Sequence, residues 1–366
     1  MKDRLRHTLR DLMLIPGLSG HEGRVRRYLK RALGDLGINH RTDRLGNLIA
    51  TLDGSPDLPS VMLFAHMDQL GLIVRKIEAD GLIRVERVGG VPERALAAQE
   101  VLLCVGEGRD VPGIIANKSH HATDPQEKYR VVPYQEIYVD TGAGTAAEAI
   151  AAGIDVGTPV VYGPSFIELA DDRIAGTSVD DRAACAVMLE VARALDEIDT
   201  HPTVHLVFSV LEEFNLRGAV TAAQMLRPEI AIQLDLILAT DTPDMATRGD
   251  VRLGGGPAMS LFSFHGRGTL NGVIPHPALV ALFDGVARDS GLNLQRSAHI
   301  GALTDLSYVQ LVGEGVASID LGFPMRYSHS AVESCDLKDL AGLTQLCVEG
   351  LRRIDTSLSL DRDDYP

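Results

Sequence analysis

The order of apolar and polar positions predicts two amphipathic helices in the first forty residues, separated by "IPGLSG" at 15–20. Ser19, with Glu22 three positions later, has the spacing of a capping box, so we expect the two side chains to cap the second helix. Two apolar runs then predict strands, "NLIATLDG" at 47–54 and "SVMLFAHMD" at 60–68. The second run is apolar enough to predict a strand that is buried on both faces of a sheet.

The sequence pattern changes in residues 71–163, where short apolar stretches are separated by glycine and proline. The segment 71–90 predicts a hairpin that turns at "EADG", residues 78–81. The only helical pattern in this part is the short "TAAEAIAAG" at 145–153. We therefore interpret residues 71–163 as a small β-rich domain, inserted into a larger catalytic domain that comprises residues 1–70 and 164–366.

After the insert, strand patterns alternate with helix patterns of ten residues or more. Helices are predicted at 181–198, 217–226, 276–291 and 337–354, and strands at 203–210, 230–241 and 315–322. This alternation is typical of a mostly parallel sheet with helices on both faces. The predicted fold class is α/β, a mostly parallel sheet covered by helices and interrupted by a small β-rich inserted domain.

Composition restricts the partners. The 366 residues carry a net charge of -15, which disfavours nucleic acid and anionic membrane surfaces as partners because their phosphates would be repelled. The four cysteines are scattered without a C-x-x-C pair, so neither a disulfide framework nor a thiolate zinc site is expected. No apolar run approaches the roughly 18 to 20 residues that a membrane-spanning helix needs. We expect a soluble cytoplasmic protein.

Ionisable residues follow the predicted strands. Ligand sites of open α/β sheets gather at strand ends, where loops present side chains into a crevice. The residues concerned are His66, Asp68, Asp180, Asp181, Glu212, Glu213, Asp235 and His329. Two histidines and several carboxylates are thus expected along one edge of the sheet.

Each of these residues also has a purely structural interpretation. Asp180 and Asp181 precede a predicted helix, where aspartate commonly caps the helix and interacts with its dipole. A single histidine at a strand end is more often a hydrogen-bonded surface residue than a ligand. Asp235 is harder to explain in this way, because a carboxylate within "IAIQLDLILA" is costly to bury unless it is paired or binds a metal.

Imidazole and carboxylate groups without thiolate suit zinc, cobalt or manganese in a catalytic site. Two divalent ions need terminal ligands and one bridging carboxylate, and the set His66, Asp180, Glu213, Asp235 and His329 supplies these. Glu212 remains free to act as general base on a metal-activated water. Two glutamates are therefore adjacent at the end of a buried strand because one, Glu213, binds metal and the other, Glu212, transfers protons.

The motifs also resemble a known family. The chain is similar to the tetrahedral and glutamyl aminopeptidases, peptidase family forty-two of the metallo class, many of which are labelled cellulase M. The similarity runs through nearly the whole chain in "PGLSGHE", "AHMDQLGLIV", "GLIRVERVGG", "EIYVDTGA", "GIDVGTPVV", "VDDRAAC", "EEFNLRGA", "DTPD", "HPALVALF" and "RYSHSAVE". Together these motifs are specific, although any one alone is weak.

This resemblance implies a role for each residue. Asp180 matches the bridging ligand, and Glu212 matches the general base. The other metal ligands correspond to His66, Glu213, Asp235 and His329. Asp68 matches the carboxylate that orients a ligand histidine. The family uses two divalent ions, zinc being our expectation and cobalt or manganese the alternatives, and its insert forms dimers within a hollow tetrahedral dodecamer.

The chain departs from the family pattern at a few positions. Gln69 stands where relatives usually have an acidic residue, and Phe214 and Asn215 replace a common Val-Gly pair. The segment 262–272 resembles local variation beside the substrate region. We expect His120 and His121 of the insert to be surface residues. None of these positions is a predicted metal ligand, so substrate preference is affected more than activity.

The expected function is therefore removal of N-terminal residues from peptides by a dinuclear metal aminopeptidase. A dipeptidase or an N-acyl amino acid deacylase is the main alternative, since the same metal centre serves those reactions. An endoglucanase is less favoured, because it needs a carboxylate pair without metal and the chain has no Trp and only 4% aromatic residues. An inactive assembly or binding protein would not need the complete ligand set.

Overall fold

A computed structural model describes residues 1–196, 201–266 and 271–365. The predicted helix at 181–198 therefore extends beyond the described residues at 197 and 198, and the variable segment 262–272 does so at 267–270. The N-terminal part contains two helices and three strands: α1 (Lys2–Met13), α2 (Gly23–Asp35), β1 (His40–Thr42), β2 (Leu48–Leu52) and β3 (Val61–His66). Both predicted helices and both predicted strands of this part are confirmed.

The next part is a closed antiparallel barrel. Its elements are β4 (Gly71–Ile77), β5 (Ile83–Val88), β6 (Glu100–Leu103), β7 (Val111–Ile115), β8 (Tyr138–Asp140), α3 (Ala146–Ala151) and β9 (Pro159–Tyr162). The strand order is β4-β5-β8-β7-β6-β9, and β9 pairs with β4 to close the barrel. Leu72, Val85, Leu103 and Val160 belong to a hydrophobic core of the barrel's own. The hairpin and the short helix predicted here are both present.

The remaining elements return to the larger sheet. They are β10 (Phe166–Glu168), β11 (Arg173–Gly176), α4 (Val179–Asp196), β12 (Val204–Ser209), α5 (Gly218–Leu226), β13 (Ile230–Leu238), β14 (Ala258–Phe264), β15 (Gly272–Val273), α6 (Pro277–Asp289), β16 (Gln295–Ile300), α7 (Leu306–Val309), β17 (Ala317–Met325), β18 (Glu333–Asp336) and α8 (Leu337–Arg352). Every helix and strand predicted in this part is present.

The larger sheet follows the order β1-β2-β12-β3-β13-β17-β14-β15, with β16 beside β14. Its centre is parallel: β12, β3, β13 and β17 run side by side in the same direction. Antiparallel pairs lie toward both edges. Strands β10, β11 and β18 form a separate small sheet. The predicted fold class, a mostly parallel sheet with helices and a β-rich insert, is confirmed.

Strand β3 shows why the sheet needs helices on both faces. Leu63 and Ala65 point into the main core, which also contains apolar residues of α1, α4, α6 and α8. Met62 and Phe64 point into a second core, formed with α5 and α7. All six residues of β3 are buried, as the uninterrupted apolar run predicted. The carboxyl ends of the parallel strands therefore emerge together from a rigid layer.

The capping-box prediction for α2 is wrong. The helix begins at Gly23, Glu22 occupies the N-cap position, and no side chain caps the helix. The Glu22 carboxylate instead accepts hydrogen bonds from the backbone N–H groups of Gly20, at 2.6 Å, and Leu211, at 3.3 Å. One local contact and one contact across the fold have thus taken the place of the predicted cap.

Membrane insertion through a helix finds no support in the structure. Among residues 1–196, 201–266 and 271–365, every helix is too short or too polar to cross a bilayer.

Candidate metal centre

The predicted site residues come together at the carboxyl edge of the parallel strands. His66 is the last residue of β3, and Asp235 lies in the second half of β13. Glu212 and Glu213 follow β12 in a turn that begins at Leu211, whose φ is 59°. Asp180 lies at the beginning of α4, and His329 follows β17. Five chain segments, far apart in sequence, thus supply one site.

The two carboxylate oxygens of Asp180 face two different histidines. Oδ1 lies 3.0 Å from Nε2 of His66, and Oδ2 lies 3.6 Å from Nε2 of His329. Two ligand groups share this residue, one with His66 and Asp235 and the other with Glu213 and His329. Within each group, the potential ligand atoms lie within 4.8 Å of one another. Asp180 is therefore the residue that the two ligand groups have in common.

Glu212 lies within reach of the same positions. Its Oε2 is 3.9 Å from Nε2 of His66, and a third group consists of His66, Glu212 and Glu213. Glu212 is only 7% exposed, so its carboxylate is directed into the site and shielded from bulk water. Geometry alone therefore permits Glu212 to act either as a base beside the ions or as a ligand.

Asp68 holds the two glutamates and contacts a histidine. Its two carboxylate oxygens accept the backbone N–H groups of Glu212 and Glu213, each at 3.1 Å. Oδ1 also lies 3.5 Å from Nδ1 of His66. Because one fully buried side chain contacts three site residues, it fixes the turn of the glutamates relative to the histidine.

The buried carboxylates of the site repel one another. Burial, together with neighbouring carboxylates, raises the pKa of Glu213 to about 7 and that of Asp235 to about 7. Burial also raises the pKa of Glu212 well above its usual range. Burial alone would lower the pKa of His329, but Glu213 and Asp180 raise it to about 9. Like charges this close are costly unless protons or metal ions neutralise them.

The donor set fits divalent metal ions. Imidazole nitrogens and carboxylate oxygens are the ligands of catalytic zinc, cobalt and manganese sites. The Oε1 atom of Glu213 is buried and has no hydrogen-bond partner among the described residues, as expected of an oxygen whose partner is an ion.

The insert also contributes to the centre. The ring Nδ1 of His329 lies 3.1 Å from the carbonyl oxygen of Gly90, which follows β5 of the barrel. A hydrogen bond from Nδ1–H to this carbonyl leaves Nε2 free to face Asp180 and Glu213. A Cβ at Gly90 would lie 2.7 Å from the same ring, so a larger residue there would displace His329. A residue of the insert therefore orients one predicted ligand.

Glu333 is a site residue that the sequence interpretation did not single out. Its carboxylate accepts the backbone N–H groups of Asp180, at 3.0 Å, and His329, at 2.8 Å. It thus ties together two predicted ligands that lie far apart in the chain. The available signal was its place at the end of "RYSHSAVE", a motif already notable for His329.

Several candidates lie outside the ligand groups. Asp181 is fully buried beside Asp180, its carboxylate oxygens have no partner among the described residues, and burial raises its pKa well above the usual range. His120 and His121 form a short exposed 3-10 helix in the insert and do not line the cleft. Gln69 is buried and accepts a hydrogen bond from the N–H of Gly17 at 3.0 Å.

The candidate metal centre opens into a cleft of about 890 Å³. Pro92 and Arg94 of the insert line one side, and Leu238 and Arg248 of the larger domain line another. Phe214, one of the departures from the family pattern, also lines this cleft. A cleft of this size lies within the range of ligand pockets and has room for a short peptide segment.

Comparison with known proteins adds to this geometry. The family model described as M42 glutamyl aminopeptidase matches residues 46–346. A lysyl aminopeptidase of Pyrococcus furiosus is 33% identical over 356 residues, which cover 95% of this chain and 97% of the relative. The structure of an aminopeptidase from Desulfurococcus kamchatkensis superposes with a TM-score of 0.90 at 31% identity, covering 98% of this chain and 97% of the other. The Pyrococcus horikoshii TET1 peptidase, described as assembling into a tetrahedron or a large octahedral shell, superposes with a TM-score of 0.84 at 26% identity, covering 95% and 99%.

Proposed function

The chain belongs to the M42 glutamyl aminopeptidase family and is an aminopeptidase, and from that premise we propose that it uses two divalent metal ions with Glu212 as general base. The observation that carries this proposal is the position of Asp180 between the two ligand groups. A bridging carboxylate explains why five ligands can serve two ions. Zinc is the ion we favour, with cobalt and manganese as alternatives.

Bound ions supply Lewis acidity, which polarises the scissile carbonyl and lowers the pKa of water. Side chains of the protein transfer the protons and hold the reacting groups in position. We propose that the Glu212 carboxylate accepts a proton from the attacking water and transfers it to the leaving amine. Asp68 holds the Glu212 backbone in place, and its contact with His66 orients that ring.

The cleft explains why peptides are the expected substrates. It extends from the metal centre along residues of both the larger domain and the insert, so it has room for the chain that follows the scissile bond. A dipeptidase or an N-acyl amino acid deacylase on the same centre remains the second candidate, since neither needs different chemistry. Endoglucanase activity stays the least favoured alternative.

Chelation tests the proposal. Removal of divalent ions should abolish hydrolysis of aminoacyl-anilides, and zinc, cobalt or manganese added separately should restore it. Blocking the α-amino group of the same anilides should prevent their hydrolysis. Removal of an acyl blocking group from these compounds would instead indicate a deacylase, and release of reducing sugar from carboxymethylcellulose would indicate an endoglucanase. Activity that survives chelation would contradict the metal proposal.

We also propose that the chain forms a homo-oligomer, with a tetrahedral dodecamer as the assembly, and that it works in the cytoplasm. The insert exposes apolar side chains that suit a subunit contact, among them Ile114, which is 55% exposed, and Val131, which is 50% exposed. The four cysteines are unpaired, which supports a reducing compartment and is testable by cell fractionation.

Light scattering coupled to gel filtration tests the assembly. The unmodified protein should run at the mass of twelve 39.4 kDa subunits. Replacing both Ile114 and Val131 by Asp should reduce that mass, because burying two carboxylates in a contact is costly. Leu311→Asp is the control, since Leu311 is equally apolar and 69% exposed but lies outside the insert. A monomeric unmodified protein, or an unchanged mass for the double variant, would contradict the assigned contact.

A further inference from the structure

The turn that carries Glu212 and Glu213 has an uncommon backbone. Leu211, Asn215 and Leu216 have positive φ angles of 59°, 73° and 58°, although none of them is glycine. Left-handed backbone is unfavourable for a residue with a Cβ, so it persists only where neighbouring groups hold it in place. The contacts that hold this turn therefore determine where the Glu212 carboxylate lies.

Two carboxylates outside the turn bind its first three backbone N–H groups. Asp68 accepts those of Glu212 and Glu213, each at 3.1 Å. The Oε1 atom of Glu22 accepts the N–H of Leu211 at 3.3 Å. Leu211 is the first left-handed residue of the turn, so Glu22 acts at the point where the backbone changes its conformation.

Glu22 is itself held in place by the loop before α2. Its Oε1 also accepts the N–H of Gly20 at 2.6 Å, and the residue is only 4% exposed. This loop is hydrogen-bonded to the segment after β3: the N–H of Ser19 donates to the carbonyl of Gln69, and the N–H of Gln69 donates to the carbonyl of Gly17, each at 3.0 Å. Since residue 69 directly follows the aspartate that holds the two glutamates, both carboxylates belong to one hydrogen-bonded unit.

We propose that Glu22 is a positioning residue for the reaction, because its contact with the N–H of Leu211 fixes the turn that directs the Glu212 carboxylate into the site. This proposal rests on the assignment of Glu212 as general base. Glu22 lies behind the turn and does not line the cleft, so it acts on the reaction through the turn and not by touching the substrate. Its loss should therefore lower kcat and leave KM nearly unchanged.

The Glu22→Ala variant measures the effect. It should lower kcat on aminoacyl-anilides by about 10- to 100-fold, because a displacement of about 1 Å of a catalytic group has an effect of this order. Metal-to-protein ratios by plasma emission should stay unchanged. Asp339→Ala is the matched control, since Asp339 is also buried and accepts the N–H groups of Gly254 and Gly256, each at 2.7 Å, but belongs to none of the ligand groups. The control should lower the Tm and leave kcat of the folded enzyme unchanged.

Two conservative variants separate reach from charge, and they decide the matter even if Glu22→Ala does not fold. Glu22→Gln keeps Oε1 as an acceptor and should keep kcat within about threefold of the unmodified enzyme, since a neutral acceptor forms a weaker but similar bond. Glu22→Asp keeps the charge and suits the N-cap position of α2, but its carboxylate is one methylene shorter and should lose Leu211. Its kcat should fall by about 10-fold or more. A slower Glu22→Gln than Glu22→Asp would overturn the proposal, because charge rather than the contact would then matter.

Combination with Glu212→Gln shows whether Glu22 acts through the base. In that background Glu22→Asp should change kcat little further, because there is no base left to misplace. Equal losses in both backgrounds overturn the proposal, and so does loss of metal from the Glu22 variants, which would show that Glu22 acts on a ligand instead.

The outcomes also separate this proposal from the assignment of the base. Normal kcat in Glu22→Ala, or in Glu22→Asp where Glu22→Ala does not fold, overturns the positioning role and leaves Glu212 as the base. Near-normal turnover of Glu212→Gln alone, with metal bound, contradicts the base itself and with it the premise of the positioning role.

Discussion

Glu212→Gln should lower kcat by about 10²- to 10⁴-fold, the usual contribution of a positioned general base, while both metal ions stay bound. Glutamine keeps the size and the hydrogen-bonding shape of the side chain, but its amide cannot accept the proton of the attacking water. Asp68 holds the backbone N–H of residue 212, so the turn should keep its conformation in the variant.

The same variant decides between two roles that the geometry leaves open. Glu212 belongs to a ligand group with His66 and Glu213, and a ligand would lose affinity for its ion on conversion to an amide. Metal-to-protein ratios by plasma emission, measured beside single-turnover rates, separate the two. Normal metal content with a low rate supports the base. Loss of one ion would assign Glu212 as a ligand, and near-normal turnover with bound metal would exclude the role of base.

The elements that the sequence predicted well are those whose apolar pattern is strong. Strand β3 is an uninterrupted apolar run and was predicted with its burial on both faces. Two of the strands that were missed are weakly patterned: β16, "QRSAHI", alternates half-buried and exposed positions, and β15 has two residues. Strand β14, "AMSLFSF", was also missed although it is mostly apolar. Pairing with β14 holds β15 and β16 at the edge of the sheet, and no local sequence pattern reports such a partner.

The candidate ligands and base were more predictable from the sequence than the residues that hold them in position. The seven proposed site residues, His66, Asp68, Asp180, Glu212, Glu213, Asp235 and His329, do lie together, because strand ends concentrate them at one edge. Glu333 and Gly90 were not foreseen. Glu333 acts on backbone N–H groups and Gly90 through its own carbonyl, and such contacts depend on the fold rather than on residue type. The Glu22 carboxylate, predicted to cap a helix, belongs to this class too.

Asp180→Ala should reduce the affinity for both ions together and abolish activity. Its two oxygens face His66 and His329, which belong to different ligand groups, so one truncation removes a ligand from each. Loss of a residue that merely supports a ligand already weakens metal binding by about 10- to 100-fold, so we expect at least that factor for each ion. Asp235→Ala removes a ligand from one group and should weaken mainly one ion.

Isothermal titration of the chelated protein with zinc, together with plasma emission after dialysis, measures these affinities. Removing one carboxylate from a crowded buried cluster reduces like-charge repulsion, so the metal-free Asp180→Ala protein should remain folded, as circular dichroism can verify. Asp244→Ala, in the same cleft but in none of the ligand groups, should bind metal as the unmodified protein does. Two ions retained at full affinity in Asp180→Ala would refute the bridging role. Selective loss of one ion would also contradict it, because Asp180 would then be a ligand in only one of the two groups.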